Sequence, residues 1–92
     1  MSLTELTKVQ LVGNTAVSNI EDGLALIDLD KGNYYYLNTT ASLVWQGLQS
    51  GSSIKDIVER IVTDFDVEVA LASSDVLAIV EELLKEGFAK VC

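Results

Sequence analysis

The chain has 92 residues, of which 49% are hydrophobic, and its 14 Asp and Glu outnumber its 6 Lys and Arg to give a net charge of -8. This composition is enough for one core, so we predict a single domain over residues 1–92. A negative field of this size repels nucleic acid and anionic lipid, and no apolar run approaches the roughly 20 residues that span a bilayer, so we expect neither nucleic acid nor a membrane as a partner.

The first part of the chain predicts three β-strands in an antiparallel sheet. Residues 6–12 form the first, and residues 19–22 are a polar interruption. Residues 23–29 are continuously apolar, typical of a buried strand. Gly and Asn in residues 30–33 accept positive φ at little cost, which predicts a hairpin turn. Residues 34–37 then return antiparallel to the strand before them.

Three helices are predicted in the remainder. Asn38 caps the first, over residues 39–49, and Ser53 caps the second, over residues 54–65, whose apolar residues repeat at three and four positions. Residues 64–72 are a connector with room for an extra helical turn. Ser73 or Ser74 caps the third helix, over residues 75–86.

Gly87 suits a left-handed exit from the third helix, and residues 88–91 form a short extended tail. The element order predicts an α+β fold that is winged helix-turn-helix-like, with a three-stranded antiparallel sheet followed by three helices.

The residue types needed for catalysis and metal binding are scarce. Without histidine the serines have no ordinary general base, and Cys92, the only cysteine, lies at the terminus with no partner. The stretch DLDKGN resembles an EF-hand loop, but its glycine comes one position early and Thr39 replaces the bidentate Glu. We therefore predict no catalytic residue, metal ligand or cofactor, and no enzymatic activity. A lone cysteine and the absence of a signal peptide favour the cytoplasm.

The third helix is more apolar than one core contact requires. At 100° per residue its apolar side chains cover about 160°, whereas a docked helix needs about 100°. These side chains are Leu77, Val76, Val80, Leu83, Leu84 and Ile79. Either the helix is deeply buried, or one edge of the arc contacts a second ligand.

The three tyrosines make the predicted strand at residues 34–37 also more apolar than one core contact requires. Side chains alternate between faces, so both faces of this strand carry aromatic rings. The strand comes third in the predicted sheet and contains no Lys or Pro to protect an edge. The rings either pack on neighbouring elements or leave one face for a guest peptide added as a further strand.

These patterns resemble a known family. The stretch GNYYYLN, Ala41 with Trp45, GSS before the second helix and LLKEGF near the end are similar to the PqqD-like family of peptide-recognition domains, the RiPP recognition elements. The likeness covers about residues 6–91. It is greatest to the stand-alone leader-binding proteins of lasso-peptide biosynthesis.

The resemblance implies that the protein binds the leader segment of a ribosomally made precursor peptide and presents it to a separate cysteine-type leader peptidase before a cyclase acts. The leader would add a strand to the tyrosine strand and fill a groove against the third helix. Carried onto this chain, the peptide-binding residues are Tyr34, Tyr35, Tyr36, Leu37, Asp75, Val76, Ile79, Val80 and Leu83. Because Leu37 should point inward, alternation assigns Tyr35 to the core, and we expect Tyr34 and Tyr36 to contact the leader.

Other functions stay open. The family also includes chaperones that bring peptides to pyrroloquinoline-quinone or radical-SAM enzymes, and the chain does not exclude that branch. A winged-helix DNA-binding regulator is a weaker alternative, because both candidate recognition helices carry more acid than base. The exposed strand edge allows either a monomer or a weak homodimer.

Overall fold

The computed structural model describes residues 3–92, which form five β-strands and three α-helices. In chain order these are β1 (Val9–Leu11), β2 (Thr15–Ile20), β3 (Gly23–Asp28), β4 (Tyr34–Leu37), α1 (Thr39–Gln49), α2 (Ile54–Phe65), α3 (Val69–Lys85) and β5 (Ala89–Val91). No helix in this part of the chain combines the length and apolarity needed to cross a membrane.

Three strands form an antiparallel sheet in the order β2-β3-β4, so β4 lies at one edge. β3 is buried along almost its whole length because it lies between the other two strands. Asp28 closes the turn between β3 and β4, where its Oδ1 accepts from the backbone N–H groups of Asp30 (3.0 Å) and Lys31 (3.1 Å). The predicted α+β class, with a three-stranded antiparallel sheet and three helices after it, is confirmed.

The membership of that sheet differs from the sequence-based prediction. Of residues 6–12, only Val9–Leu11 form a strand, and this strand pairs with β5 in a separate two-stranded sheet. The first strand of the larger sheet is β2, which extends through Ile20 into the predicted polar interruption. β2 escaped prediction because four of its six side chains are exposed and apolar and polar residues do not alternate along it.

The predicted starts of the first two helices are confirmed. The Asn38 side chain accepts from the Ala41 N–H at 2.9 Å, and the Ser53 hydroxyl accepts from the Asp56 N–H at 3.1 Å. Each cap satisfies a backbone donor that the first helical turn leaves unpaired, which stabilises a helix by about 1 kcal/mol.

The third helix begins six residues before its predicted start. Its N-cap residue is Glu68, which makes no side-chain capping bond, so both predicted caps, Ser73 and Ser74, lie inside the helix. Ser73 instead donates to a carboxylate oxygen of Glu5 at 2.9 Å. The predicted end is confirmed, because Gly87 has φ of +83° and follows the last helical turn.

The core lies between the inner face of the sheet and the three helices. Trp45 of α1 meets the ring of Phe88 edge-on at 6.2 Å, and Tyr35 of β4 lies 6.2 Å from the same ring. Phe88 therefore joins α1, β4 and the end of α3. The fully buried side chains around it include Leu26, Leu37, Val44, Val58, Val76, Val80 and Leu83.

Candidate functional site

A groove of about 190 Å³ separates β4 from α3. It is lined by Tyr35, Tyr36, Leu37, Asn38, Ala41, Ile79, Glu82 and Leu83. A larger cavity of about 530 Å³ lies between the N-terminal segment and the start of α2. We take the smaller groove as the candidate site because it runs along the edge of the sheet, where backbone hydrogen-bonding groups are available beside it.

The backbone pairing pattern shows which groups of β4 face the open edge. The Asp28 N–H donates to the Asn33 carbonyl at 2.8 Å, and these residues stand opposite each other in the register that pairs Leu26 with Tyr35. In an antiparallel ladder, hydrogen-bonded and non-hydrogen-bonded pairs alternate. Tyr35 therefore bonds to β3, whereas the N–H and C=O groups of Tyr34 and Tyr36 point away from the sheet.

The tyrosine side chains alternate as the sequence predicts. Tyr34 is 60% and Tyr36 47% exposed, whereas Tyr35 is half-buried and Leu37 only 2% exposed. Tyr35 and Leu37 lie on the inner face, opposite Leu26 and Leu24. The expected assignment of Tyr35 to the core is confirmed.

The groove, however, is lined by Tyr35 and Leu37 of the inner face together with Tyr36, and Tyr34 does not line it. A Cβ on Gly23 would lie 2.8 Å from the Tyr36 hydroxyl and would collide with the Leu37 carbonyl oxygen. The Tyr36 ring therefore lies across Gly23 on the outer face of the sheet, where Ala25 stands opposite it. Tyr35 is the tyrosine whose ring lies between the groove and the core.

On the helix side, two of the five predicted residues line the groove. Ile79 is half-buried at the edge of the apolar arc, and Leu83 lies beneath it. Val76 and Val80 are 0% exposed, so their side chains pack in the core and have no free surface to offer a ligand. Asp75 is exposed but does not line the groove. Half of the arc is thus a deeply buried face, and the groove takes Ile79 at its edge and Leu83 at its base.

Glu82 is a groove residue that the sequence analysis missed. It lies three positions after Ile79, so it belongs to the same stripe of the helix, and this spacing was the signal available in the sequence. The Tyr35 hydroxyl donates to Glu82 Oε2 at 3.4 Å, a long hydrogen bond. Burial, the charge and hydrogen bond of Glu82, and the charge of Glu86 raise the pKa of Tyr35, which keeps its hydroxyl protonated.

Three comparisons with known proteins bear on this arrangement. Among curated proteins no match is found. One solved structure, "Lasso peptide synthetase B1 complexed with the leader peptide", is 31% identical, with a TM-score of 0.82 over 90% of this chain and 98% of that one. A second, "TbiB1 in Complex with the TbiA(beta) Leader Peptide", is 21% identical and shares the fold, with a TM-score of 0.82 over 88% and 94% of the two chains.

The family comparison covers most of the same elements. The profile described as "Coenzyme PQQ synthesis protein D (PqqD)" matches residues 23–89, from the first residue of β3 to the first residue of β5. This span contains the open strand edge, the groove and all three helices. The chain belongs to the PqqD family.

Proposed function

We propose that this protein binds the leader segment of a ribosomally made precursor peptide, in lasso-peptide biosynthesis, as a strand added to β4. The observation that carries the proposal is the open edge: the backbone groups of Tyr34 and Tyr36 face outward beside a groove closed on its far side by α3. Support comes from two proteins of the same fold whose structures were determined with leader peptides, one of them 31% identical.

Backbone pairing and side-chain contacts have separate roles in this proposal. Hydrogen bonds to Tyr34 and Tyr36 hold the leader parallel to the edge without regard to its sequence. Every second leader residue then points into the groove, where it meets Tyr35, Ile79 and Leu83. Those groove-facing residues select the sequence, because each apolar side chain buried there gains about 1.5–3 kcal/mol.

We infer that the protein is a single binding domain and acts without catalytic groups of its own. Peptide cleavage then requires a separate leader peptidase of the cysteine type, to which the protein presents the bound precursor. Residues 3–92 contain no cluster of His, Cys, Asp or Glu suited to a metal ion, and the Cys92 thiol donates to the side-chain oxygen of Gln10 at 3.3 Å. Incubation with a precursor should leave the peptide intact until the peptidase is added.

A second candidate function follows from the description of the matching family. A chaperone that carries a peptide to a coenzyme PQQ or radical-SAM enzyme would use the same strand edge and groove. The two candidates differ in the peptide that binds. We favour the lasso pathway because the 31% identical structure is a lasso peptide synthetase B1.

The test removes one backbone donor from the edge. Tyr36→Pro deletes the outward N–H but no bond to β3, and proline is tolerated on edge strands. Tyr36→Ala is the matched control, because it loses the same ring and keeps the N–H. With the labelled leader of a lasso-peptide precursor as the probe, we expect Tyr36→Pro to bind at least about thirtyfold more weakly than Tyr36→Ala, about 2 kcal/mol. Equal binding by the two folded variants would exclude strand addition at this edge.

A further inference from the structure

The two ends of the groove differ in chemistry. At the Leu37 end, next to the start of α1, its lining includes Ala41 of α1. Toward the other end of β4, the Tyr35 hydroxyl meets Glu82. The end of α3 lies beside the turn that precedes β4, because the Lys31 Nζ is 3.7 Å from the position of a Cβ on Gly87, so α3 runs antiparallel to β4. Ile79 therefore lies toward the Leu37 end, and the groove changes from apolar to acidic along its length.

Glu86 extends the acidic end. It is half-buried one turn after Glu82, about 6 Å farther along the helix axis, and its charge acts on Tyr35 together with that of Glu82. Both carboxylates belong to the helical stripe that carries Ile79, because positions three, four and seven apart share one face. Glu82 thus lines the acidic end of the groove, and Glu86 lies one turn beyond it on the same stripe of α3.

This pair of carboxylates is unfavourable for the protein alone. Like charges four residues apart repel each other, and negative charge near the C-terminal end of a helix opposes its dipole. Two lysines are near: Lys85 on the same helix, and Lys31, whose Nζ lies 3.7 Å from the position of a Cβ on Gly87. Neither lysine forms a salt bridge with Glu82 or Glu86. The salt bridge formed within residues 3–92 joins Arg60 to Asp64.

The distance between groove-facing residues of an added strand matches the distance from Ile79 to the two carboxylates. Groove-facing residues of a strand recur every second position, about 6.7 Å apart. Along α3, Glu82 lies about 4.5 Å and Glu86 about 10.5 Å beyond Ile79, at about 1.5 Å per residue. A side chain placed about 6.7 Å from one that contacts Ile79 therefore falls between the two carboxylates.

We propose that the peptides this groove selects carry an apolar anchor for the Ile79 end and, two residues away on the same face, a lysine or arginine for Glu82 and Glu86. This inference rests on the proposed strand addition and narrows it to a class of sequence. The basic residue fixes register, because a shift of one position turns it to the opposite face of the strand. The negative charge of the whole protein favours the same peptides through faster association.

The test uses a displayed library of random peptides of about ten residues, long enough to extend beyond the four residues of β4 at both ends. Peptides are selected on three proteins: the parent chain, the Glu82→Gln/Glu86→Gln variant and the control Glu59→Gln/Glu81→Gln. Glu81 points away from the groove on α3, and Glu59 lies on α2, so the control removes equal charge elsewhere.

We expect peptides from the parent and the control to share a basic residue two positions from an apolar one. Selection on Glu82→Gln/Glu86→Gln should retain the apolar residue and lose the basic one. Individual parent-selected peptides should bind that variant about fivefold more weakly at low salt, with a smaller difference at high salt.

Two results would overturn the inference in distinguishable ways. In the first, the selected peptides lose affinity for Tyr36→Pro but have no preferred basic residue, or keep that preference with Glu82→Gln/Glu86→Gln. This result would refute the role of the two carboxylates and leave strand addition intact. If no peptide is enriched, or if enriched peptides bind Tyr36→Pro and Tyr36→Ala equally, strand addition itself is refuted and this inference fails with it.

Discussion

The larger sheet has two open edges, and they differ in what surrounds them. Next to β2, the Leu29 N–H donates to the Asn14 carbonyl at 2.9 Å. Because hydrogen-bonded and non-hydrogen-bonded pairs alternate along the strand, the backbone N–H and C=O groups of Thr15, Val17 and Asn19 point away from the sheet. On β4 the outward groups belong to Tyr34 and Tyr36. Both edges offer unpaired donors and acceptors, and the grooves beside them differ in their walls. Beside β4 the groove is lined by Ile79 and Glu82 of α3, whereas the groove of about 380 Å³ beside Thr15 and Val17 of β2 is lined by residues of β1 and α1.

The comparison indicates that an open edge alone does not define a peptide site. Backbone pairing is available on either edge and is indifferent to sequence, so it cannot distinguish one peptide from another. The wall contributed by α3 supplies the side-chain contacts. If this is correct, the same substitution at the two edges should lower leader affinity by different amounts.

The largest expected effect comes from proline at each edge. Tyr36→Pro and Val17→Pro each remove one outward N–H and leave the bonds to β3 in place. We expect leader affinity to fall at least about thirtyfold for Tyr36→Pro and less than about twofold for Val17→Pro. Fluorescence anisotropy with the labelled leader measures both, with circular dichroism to verify folding. Comparable losses in the two variants would mean that the edges are not functionally different.

A carboxylate in the groove wall should have the next largest effect. Ile79→Asp places a charge where the proposed mode of binding buries an apolar leader residue, and we expect at least tenfold weaker binding, about 1.4 kcal/mol. Leu71→Asp makes the same change at an exposed position near the start of α3 and is the control. Because Ile79 also contacts the core, Ile79→Ala is measured in parallel. Parent-like affinity in both folded Ile79 variants would place the peptide elsewhere.

The two faces of β4 provide a smaller contrast. The Tyr34 ring lies on the outer face, away from the groove, so we expect Tyr34→Ala to change leader affinity less than about threefold. Tyr35→Ala should lower the stability of the fold by about 2 kcal/mol, because its ring packs on Phe88. Thermal melts and titrations of both variants separate these outcomes. A tenfold binding loss in folded Tyr34→Ala would restore the sequence-based hypothesis that the outer face contacts the leader.

The smallest effect concerns the ionisation of Tyr35. Burial and the charges of Glu82 and Glu86 raise the pKa of Tyr35 in the folded protein. The free energy of folding that the neutral hydroxyl contributes is therefore complete below the unfolded-state pKa of about 10. This contribution is lost as the pH rises through the folded-state pKa. Absorbance at alkaline pH should show a late tyrosine component that Tyr35→Phe abolishes. Glu82→Gln should move this component to lower pH. A titration that Glu82→Gln leaves unchanged would show that its carboxylate does not act on the ring.

Local features of the fold were readable from the sequence, and distant pairings were not. The caps at Asn38 and Ser53 and the alternation of the three tyrosines depend on neighbouring residues, so the sequence predicts them correctly. The early start of α3 was missed because Glu68 makes no capping bond and gives no signal. The pairing of β1 with β5 joins Val9 to Val91, and no local pattern encodes it.

Part of the groove lining was predicted from the sequence. Val76 and Val80 are core residues, because the core takes up more of the helix arc than one contact was expected to need. The predicted residues that line the groove are Tyr35, Tyr36, Leu37, Ile79 and Leu83. The side of β4 on which the groove opens could not be inferred, since it depends on how α3 packs across the sheet. Glu82 went unnoticed because its spacing from Ile79 is a weak signal, and its contact with Tyr35 is visible only in the fold.

The pairing of the chain ends has a consequence for the order of folding. β2, β3 and β4 are joined by short turns within residues 15–37, whereas β1 and β5 close a loop of about 80 residues, which costs more chain entropy. The β4 edge therefore belongs to a unit of local contacts that can form before the ends meet. In native-state hydrogen exchange, we expect β1 and β5 to open at lower free energy than β3, so the ends can fray while the open edge keeps its shape.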